Sequence, residues 1–311
     1  MGCKVEFVHI PVLPQETIDG LNLTHNKLIV DGTVGGGGHS NLILSHNPST
    51  KVIAFDRDIE ALNSAKERLK SFGERVTFVH NNFKSVIEYL EDNQIKIDGI
   101  LLDLGVSSYQ LDNEERGFSF RFDSALDMRM DKDQEKSAYE VVNLYSEQKL
   151  VDIFFTYGEE KFSRNIAKNI VKNRPVKTTG ELKKIIEESV FSKSPKEKQA
   201  SVQRIFQAIR IEVNAELDGL GEMIEQLPNF MNNGARIAII SFHSLEDRIV
   251  KNAFAKMAKD CLCPPELPKC VCGHKKSGKI ITKKPIIASA EEQKNNSRST
   301  CAKLRVFEII K

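Results

Sequence analysis

Three acids and a run of glycines are the residues of this chain best placed to do chemistry. The run Asp31-Gly32-Thr33-Val34-Gly35-Gly36-Gly37-Gly38-His39-Ser40 sets four consecutive glycines between the apolar stretch Leu28-Ile29-Val30 and a helix expected from Ser40 to about Ser45. Glycine frees φ and lets a ligand approach bare backbone amides. A strand, a glycine loop and a helix N-terminus in series make a nucleotide-type site at the edge of a parallel sheet. A glycine loop after a strand also serves as a plain tight turn, so the acids that follow carry weight. Lys51-Val52-Ile53-Ala54-Phe55-Asp56 reads as the next strand and ends in an acid able to accept from both hydroxyls of a ribose. Asp58 lies nearer the first periodic apolar residue, Ile59, and is the better cap for the following helix, which leaves Asp56 to a ligand. A further strand ends in Ile100-Leu101-Leu102-Asp103, so Asp103 is expected to face the same crevice as Gly37, Gly38 and Asp56.

Two aromatic or imidazole groups border the same region. Phe83, just past a strand at 76–80, either packs on the face of an adenine ring or is a core residue at the start of the next helix. His243, in Ser241-Phe242-His243-Ser244-Leu245-Glu246-Asp247, is a base, an RNA contact or a hydrogen-bonded structural group. The helix that follows it is expected from Leu245 to about Lys259, capped by Ser244 with Asp247 closing a capping-box-like pair.

The elements that must position these residues alternate. Strands are expected at 27–31, 51–56, 76–80 and 97–103, with a helix whose apolar face is Ile59, Leu62, Ala65, Leu69 and Phe72. The strands are continuous apolar runs, as in a parallel sheet covered on both faces. This predicts an α/β doubly wound fold. From about Leu111 to Leu217 no buried strand is evident. Segments 146–156, 161–172, 179–190 and 201–217 have helical periodicity, broken by Pro175 and Pro195. Strands return at 234–241 and 304–310. The expected organisation is therefore a discontinuous sheet domain, 1–112 with 218–311, carrying an inserted helical domain, 113–217. Residues 289–300 are polar and are expected to form a mobile loop.

With 311 residues, 40% hydrophobic and 28% charged, the composition is that of an ordinary globular protein. No apolar run is long enough to span a bilayer, and the start Met1-Gly2-Cys3-Lys4-Val5-Glu6 lacks the apolar stretch of a signal peptide. A cytoplasmic location is expected. The net charge of +2 conceals segregation: residues 158–210 carry 13 Lys or Arg against 6 acids, and residues 269–311 carry 11 against 3. Such surfaces either suit a polyanion such as nucleic acid or are solvated helix faces.

Cys261-Leu262-Cys263 and Cys270-Val271-Cys272 lie close together, with His274 nearby. Four thiolates at that density suit zinc, but the Cys-x-Cys spacing is not the common Cys-x₂-Cys, and a set of reduced thiols in a basic loop is the alternative. No residue is assigned to a metal on this pattern. Cys3 and Cys301 have no evident partner.

Many of these segments, taken together and in order, resemble the bacterial S-adenosylmethionine-dependent 16S ribosomal RNA (cytosine-N4)-methyltransferase family. The similarity runs nearly end to end. It includes His9-Ile10-Pro11-Val12-Leu13 with Glu16, the loop from Asp31 to Ser40, Asp56-Arg57-Asp58, and Asp98-Gly99-Ile100-Leu101-Leu102-Asp103-Leu104-Gly105-Val106-Ser107-Ser108 with Gln110-Leu111-Asp112. It continues through Glu115-Arg116-Gly117-Phe118-Ser119-Phe120, Leu126-Asp127-Met128-Arg129-Met130-Asp131, Phe206 to Asn214, and Ser241 to Arg248. The resemblance implies a Rossmann-like class I methyltransferase sheet with an inserted helical substrate domain. It implies that Gly37, Gly38, His39, Asp56, Phe83, Asp103 and Gln110 bind S-adenosylmethionine, and that the partner is 16S rRNA in the small ribosomal subunit. One departure is Gly36, where many members carry a larger residue, often Arg. In such an enzyme an acceptor for the amine N–H groups, Asp103 or a carbonyl of the Leu104-Gly105 turn, would orient the target amine. The base would be unpaired or extruded. A nicotinamide dehydrogenase would instead need the spaced Gly-x-Gly-x-x-Gly fingerprint. A DNA amino-methyltransferase would need a Pro-Pro-aromatic turn where Leu104-Gly105-Val106 stands. A non-catalytic RNA-binding assembly factor is the remaining alternative.

Overall fold

The computed structural model describes residues 11–23, 27–264, 267 and 269–311. Cys3 and the His9-Ile10 part of the N-terminal motif lie outside them. The chain divides into two compact units, residues 1–105 with 218–311, and residues 106–217. The sequence places the first junction at 112/113. The units divide at 105/106 because Val106 and Leu111 pack against the core of the helical unit.

The sheet unit contains β1 (Leu28–Asp31), β2 (Lys51–Asp56), β3 (Val76–His80), β4 (Ile97–Asp103), β5 (Met231–Ser241), β6 (Gly278–Ile280), β7 (Ile286–Ile287) and β8 (Lys303–Ile309). The order is β3-β2-β1-β4-β5-β8-β6, with β7 also paired to β8. β1 to β5 are parallel neighbours, and β8 runs antiparallel to β5, β6 and β7. This is a doubly wound, Rossmann-like α/β sheet. Its order reverses between β1 and β4, and the crevice beyond the carboxyl ends of those strands is where such sheets bind ligands. The interior of β2 shows why the strands form here: Val52, Ile53, Ala54 and Phe55 are each at most 4% exposed, covered on both faces. Burying one such large side chain contributes about 1.5–3 kcal/mol. Among the described residues no helix is long and apolar enough to cross a membrane.

Among the described residues the helices beside this sheet include α1 (Pro14–Leu21), α2 (Gly38–His46), α3 (Ile59–Leu69) and α4 (Val86–Asp92), and in the second half Leu220–Gln226 and Ser244–Met257. Asp58 caps α3, accepting from Glu60 N at 3.0 Å. The stretch expected to be a mobile loop instead folds as a helix, Ala290–Asn295, and a 3₁₀ turn, Ser297–Cys301. Ser289 caps that helix, and Glu292 accepts from Leu13 N at 2.8 Å, so local capping and one distant anchor order a segment with few apolar residues.

The helical unit contains Ser108–Asp112, Ala138–Leu144, Glu147–Thr156, Ser163–Lys172, Thr179–Ser189 and Pro195–Asn214. Pro195 opens the last of these rather than breaking it, since a first-turn position needs no N–H donor. The unit has its own core, including Phe154, Ile166, Ile170, Leu182, Ile205 and Ile209. Two of the long motifs serve this packing. Asn214 accepts from Met130 N at 2.8 Å and donates to Met128 O at 2.7 Å, so the Leu126–Asp131 turn is tied to the end of the long helix. Arg116, 2% exposed, donates to Arg129 O and Met130 O in the same turn.

Candidate active site

The glycine loop follows β1 because the sheet leaves no room for side chains there. Gly32 N donates to Leu101 O at 2.9 Å, and a Cβ on Gly32 would lie 2.4 Å from Leu102 Cδ2 and 3.3 Å from Phe83 Cβ. Gly37 has φ +78° and stands as the N-cap of α2. The first intrahelical donor of α2 is Asn41 N, to Gly37 O at 2.9 Å. The amides of Gly38, His39 and Ser40 precede it and have no partner within the helix. Over Gly35 and Gly36 a Cβ would meet nothing nearer than Thr33 O at 4.0 Å and Ser64 Oγ at 3.9 Å, so this part of the loop is open.

The acids at the strand ends hold the loop. Asp31 accepts from Ser40 Oγ at 2.6 Å and from Thr33 N at 3.3 Å, and burial pushes its carboxyl up to about 6. Asp56 is not left wholly to a ligand. Its Oδ2 accepts from Gly35 N at 2.8 Å and its Oδ1 from Asp58 N at 2.9 Å. A carboxylate has about four acceptor positions, so half of this one is committed to shaping the loop and half is spare. Burial pushes Asp56 up to about 6.

Asp103 differs from both. Its backbone N–H donates to Thr33 Oγ1 at 2.7 Å, which ties β4 to the glycine loop, yet its carboxylate Oδ1 is buried with no hydrogen-bond partner among the described residues. Leaving a buried acceptor unmet costs about 1–3 kcal/mol. Its Oδ2 lies 3.5 Å from His39 Nδ1. His39 Nε2 sits 2.8 Å from Val12 O, which only accepts, so Nε2 carries the proton and Nδ1 of the neutral ring is bare. Two lone pairs then face each other unless one proton lies between them. Burial pushes Asp103 up to about 7, helped by the negative charge of Glu246, and burial lowers His39. A proton held on Asp103 Oδ2, the form that burial favours, would donate to His39 Nδ1.

The remaining sequence candidates separate. Phe83 is 9% exposed and packs in the core with Leu102 and Leu104, at the start of a 3₁₀ turn. Gln110 belongs to the helical unit, where its Oε1 accepts from Ser107 N at 3.0 Å. His243, not Ser244, is the N-cap of the helix after β5. Its Nδ1 accepts from Glu246 N at 3.4 Å, and Glu246 Oε2 accepts from Phe242 N at 2.8 Å and His243 N at 3.3 Å. Asp247, expected to close the cap, instead pairs with Arg305 at 2.6 Å. Thr33, Ser40 and Glu246 were not among the sequence candidates. The Asp-Gly-Thr run and the three-residue spacing from His243 to Glu246 are the signals that point to them.

Residues 6–310 match the model of the MraW methylase family. The chain is 53% identical over 311 residues to a ribosomal RNA small subunit methyltransferase H of Clostridium botulinum (strain Loch Maree / Type A3), covering 98% of this chain and 100% of that one. It is 49% identical over 315 residues to the protein of that name from Lachnospira eligens, covering 100% of each. With the one from Finegoldia magna it shares 47% identity, covering 98% of this chain and 100% of the other.

Proposed function

The chain belongs to the MraW methylase family, and on that premise we propose that it transfers a methyl group from S-adenosylmethionine to the exocyclic N4 amine of a cytosine in the decoding centre of 16S ribosomal RNA. The small-subunit RNA is taken from the names of relatives that match it over essentially their whole length. The observation that carries the chemistry is the buried, unpartnered Oδ1 of Asp103 at the carboxyl end of β4.

The residues at the strand edge fit the methyl donor. Gly35 and Gly36 present backbone with open space where a Cβ would stand. Gly37 caps α2, and the amides of Gly38, His39 and Ser40, which have no partner within the helix, favour a carboxylate. Asp56 keeps acceptor positions for ribose hydroxyls after holding Gly35 and Asp58. Phe83 closes the floor under the loop, its Cβ 3.3 Å from where a Cβ on Gly32 would stand. When bound, S-adenosylmethionine supplies a methyl group already activated on a sulfonium, so positioning is the main task left to the protein.

Asp103 performs that task for the amine. The lone pair of a cytosine amine is delocalised into the ring. An acceptor on its N–H groups turns the amine out of conjugation and favours the positive charge that grows on nitrogen. Oδ1 is an acceptor held ready for an N–H group, and His39 takes up the proton equilibrium at Oδ2. Ionised Asp103 is the working form, so turnover rises with pH through about 7. The basic stretches 158–210 and 269–311 bind phosphates of the RNA.

The test is incubation of the protein with methyl-labelled S-adenosylmethionine and small ribosomal subunits, followed by nucleoside digestion. Label in N4-methylcytidine is the expected result. Label in another nucleoside would refute the amine assignment, and absence of any transfer would favour a non-catalytic RNA-binding role.

A further inference from the structure

A second convergence of reactive side chains lies in the segment between the helix Ser244–Met257 and β6. Cys261 Sγ is 3.3 Å from Cys270 Sγ and 3.8 Å from Cys272 Sγ, and Cys270 Sγ is 3.6 Å from Cys272 Sγ. The sulfurs of Cys261, Cys263, Cys270 and Cys272 all lie within 4.8 Å of one another. All four are free thiols, well beyond the roughly 2.05 Å of a disulfide. Four sulfurs placed tetrahedrally at about 2.3 Å from a zinc ion would stand about 3.8 Å apart. The observed separations cluster near that value.

Two other observations favour a cation at the centre. Three backbone amides point at the sulfurs: Cys263 N to Cys261 Sγ, Leu262 N to Cys272 Sγ and Val271 N to Cys263 Sγ, each at 3.4 Å. Such donors favour sulfur that carries negative charge. The second observation is that, among the described residues of the segment, no buried apolar cluster gathers the thiols. Leu262, Leu267 and Val271 are 38%, 46% and 79% exposed, and Cys261, Cys270 and Cys272 are themselves exposed. A short segment without a buried core needs a cross-link to hold one shape, and a structural metal is the usual one when disulfides are absent.

We infer that Cys261, Cys263, Cys270 and Cys272 hold one zinc ion in a closed, four-thiolate structural site. Binding displaces the thiol protons to solvent and changes no oxidation state. The complex carries a net charge of −2, which Lys259, Lys269, Lys275 and Lys276 in the same stretch offset. The ion staples the segment onto itself and fixes where these lysines project.

The full-length protein, purified under reducing conditions without chelator, should contain one zinc per chain by mass spectrometric metal analysis. Metal-free reduced protein should take up zinc stoichiometrically in competition with a colorimetric chelator. With cobalt(II) it should give the intense visible and thiolate charge-transfer absorption of a tetrahedral sulfur site. The double variant Cys263→Ser/Cys272→Ser should lose the zinc, while Cys301→Ser should keep it. Should the double variant not fold, alkylation of the metal-free unvaried protein provides the second measurement, because it should abolish zinc uptake without that substitution. Failure of the reduced protein to bind zinc, zinc retained in a folded double variant or after alkylation, or stoichiometric iron instead of zinc would each overturn the inference. None of these readouts depends on methyl transfer.

Discussion

Replacing Asp103 by Asn should stabilise the fold and abolish methyl transfer together. The carboxyl is raised from an ordinary 3.8 to about 7, chiefly by burial and then by Glu246. Below pH 3.8 the group is protonated in both folded and unfolded chains and contributes no difference. Between 3.8 and 7 the unfolded chain gives up its proton while the folded one keeps it, so stability falls as pH rises through that window. Above 7 the folded chain carries a buried, ionised and partly unsatisfied acid. Each pH unit is worth about 1.36 kcal/mol, so the full penalty is roughly 4 kcal/mol. Asn has nearly the same shape, stays neutral and can donate to the bare His39 Nδ1. Urea unfolding followed by circular dichroism at pH 5 and pH 8, for both proteins, isolates the effect, because Asp31 and Asp56 contribute equally to each. The variant should gain several kcal/mol relative to the unvaried protein at pH 8 and much less at pH 5. Methyl transfer should fall by about 10² or more, the scale seen when one preorganised transition-state contact is removed. A variant no more stable at pH 8 would mean that Asp103 is not the desolvated, unpartnered acid described above. Full activity in the variant would remove it from the chemistry.

Three further outcomes follow from the same geometry. Gly32→Ala should cost about 1–3 kcal/mol in thermal or chemical unfolding, because its Cβ would press on Leu102 and Phe83, whereas Gly36→Ala should be within about 0.5 kcal/mol of neutral. Arg305→Met should destabilise by about 1–3 kcal/mol, since it removes the two-pronged partner of the Asp247 carboxylate and leaves it Lys303 at 3.6 Å, and the loss should shrink at low pH as Asp247, held below the usual carboxylate range, takes a proton; an unchanged unfolding midpoint at neutral pH would contradict this. Binding to small-subunit RNA should weaken steeply with salt, by about 10³ between 50 and 200 mM if six or more phosphates are held, and a flat salt profile in a filter-binding titration would exclude the basic stretches as the grip.

Much of the sheet is legible from local pattern. The strands expected at 51–56, 76–80 and 97–103 occupy those residues, because each is mostly apolar and β-prone and ends in a polar residue at the sheet edge. β6 and β7 span three and two residues in a polar stretch and owe their existence to β8, a partner distant in sequence. The helix Ala138–Leu144 is short, and its Ser137–Glu140 capping box signals it better than its periodicity does. Capping rules favour Ser244 over His243, since imidazole is an uncommon N-cap, yet the backbone of His243 is extended and its ring does the capping. At the candidate site the sequence marks Asp56 and Asp103 as equivalent strand-end acids. Only the structure separates them: Asp56 spends two lone pairs on Gly35 and Asp58, while Asp103 keeps one buried oxygen unmet. The two Cys-x-Cys pairs leave zinc and reduced thiols open in the sequence, and the structure adds that the four sulfurs lie within 4.8 Å of one another.

The most direct test of the account is a crystal structure of the protein with S-adenosylmethionine. The donor should lie beyond the carboxyl ends of β1, β2 and β4, over Gly35 to His39, with its ribose at Asp56 and its reactive methyl directed toward the space beside Asp103 Oδ1. A donor bound elsewhere on the chain, or one that fills the crevice with its methyl turned away from Asp103, would contradict it.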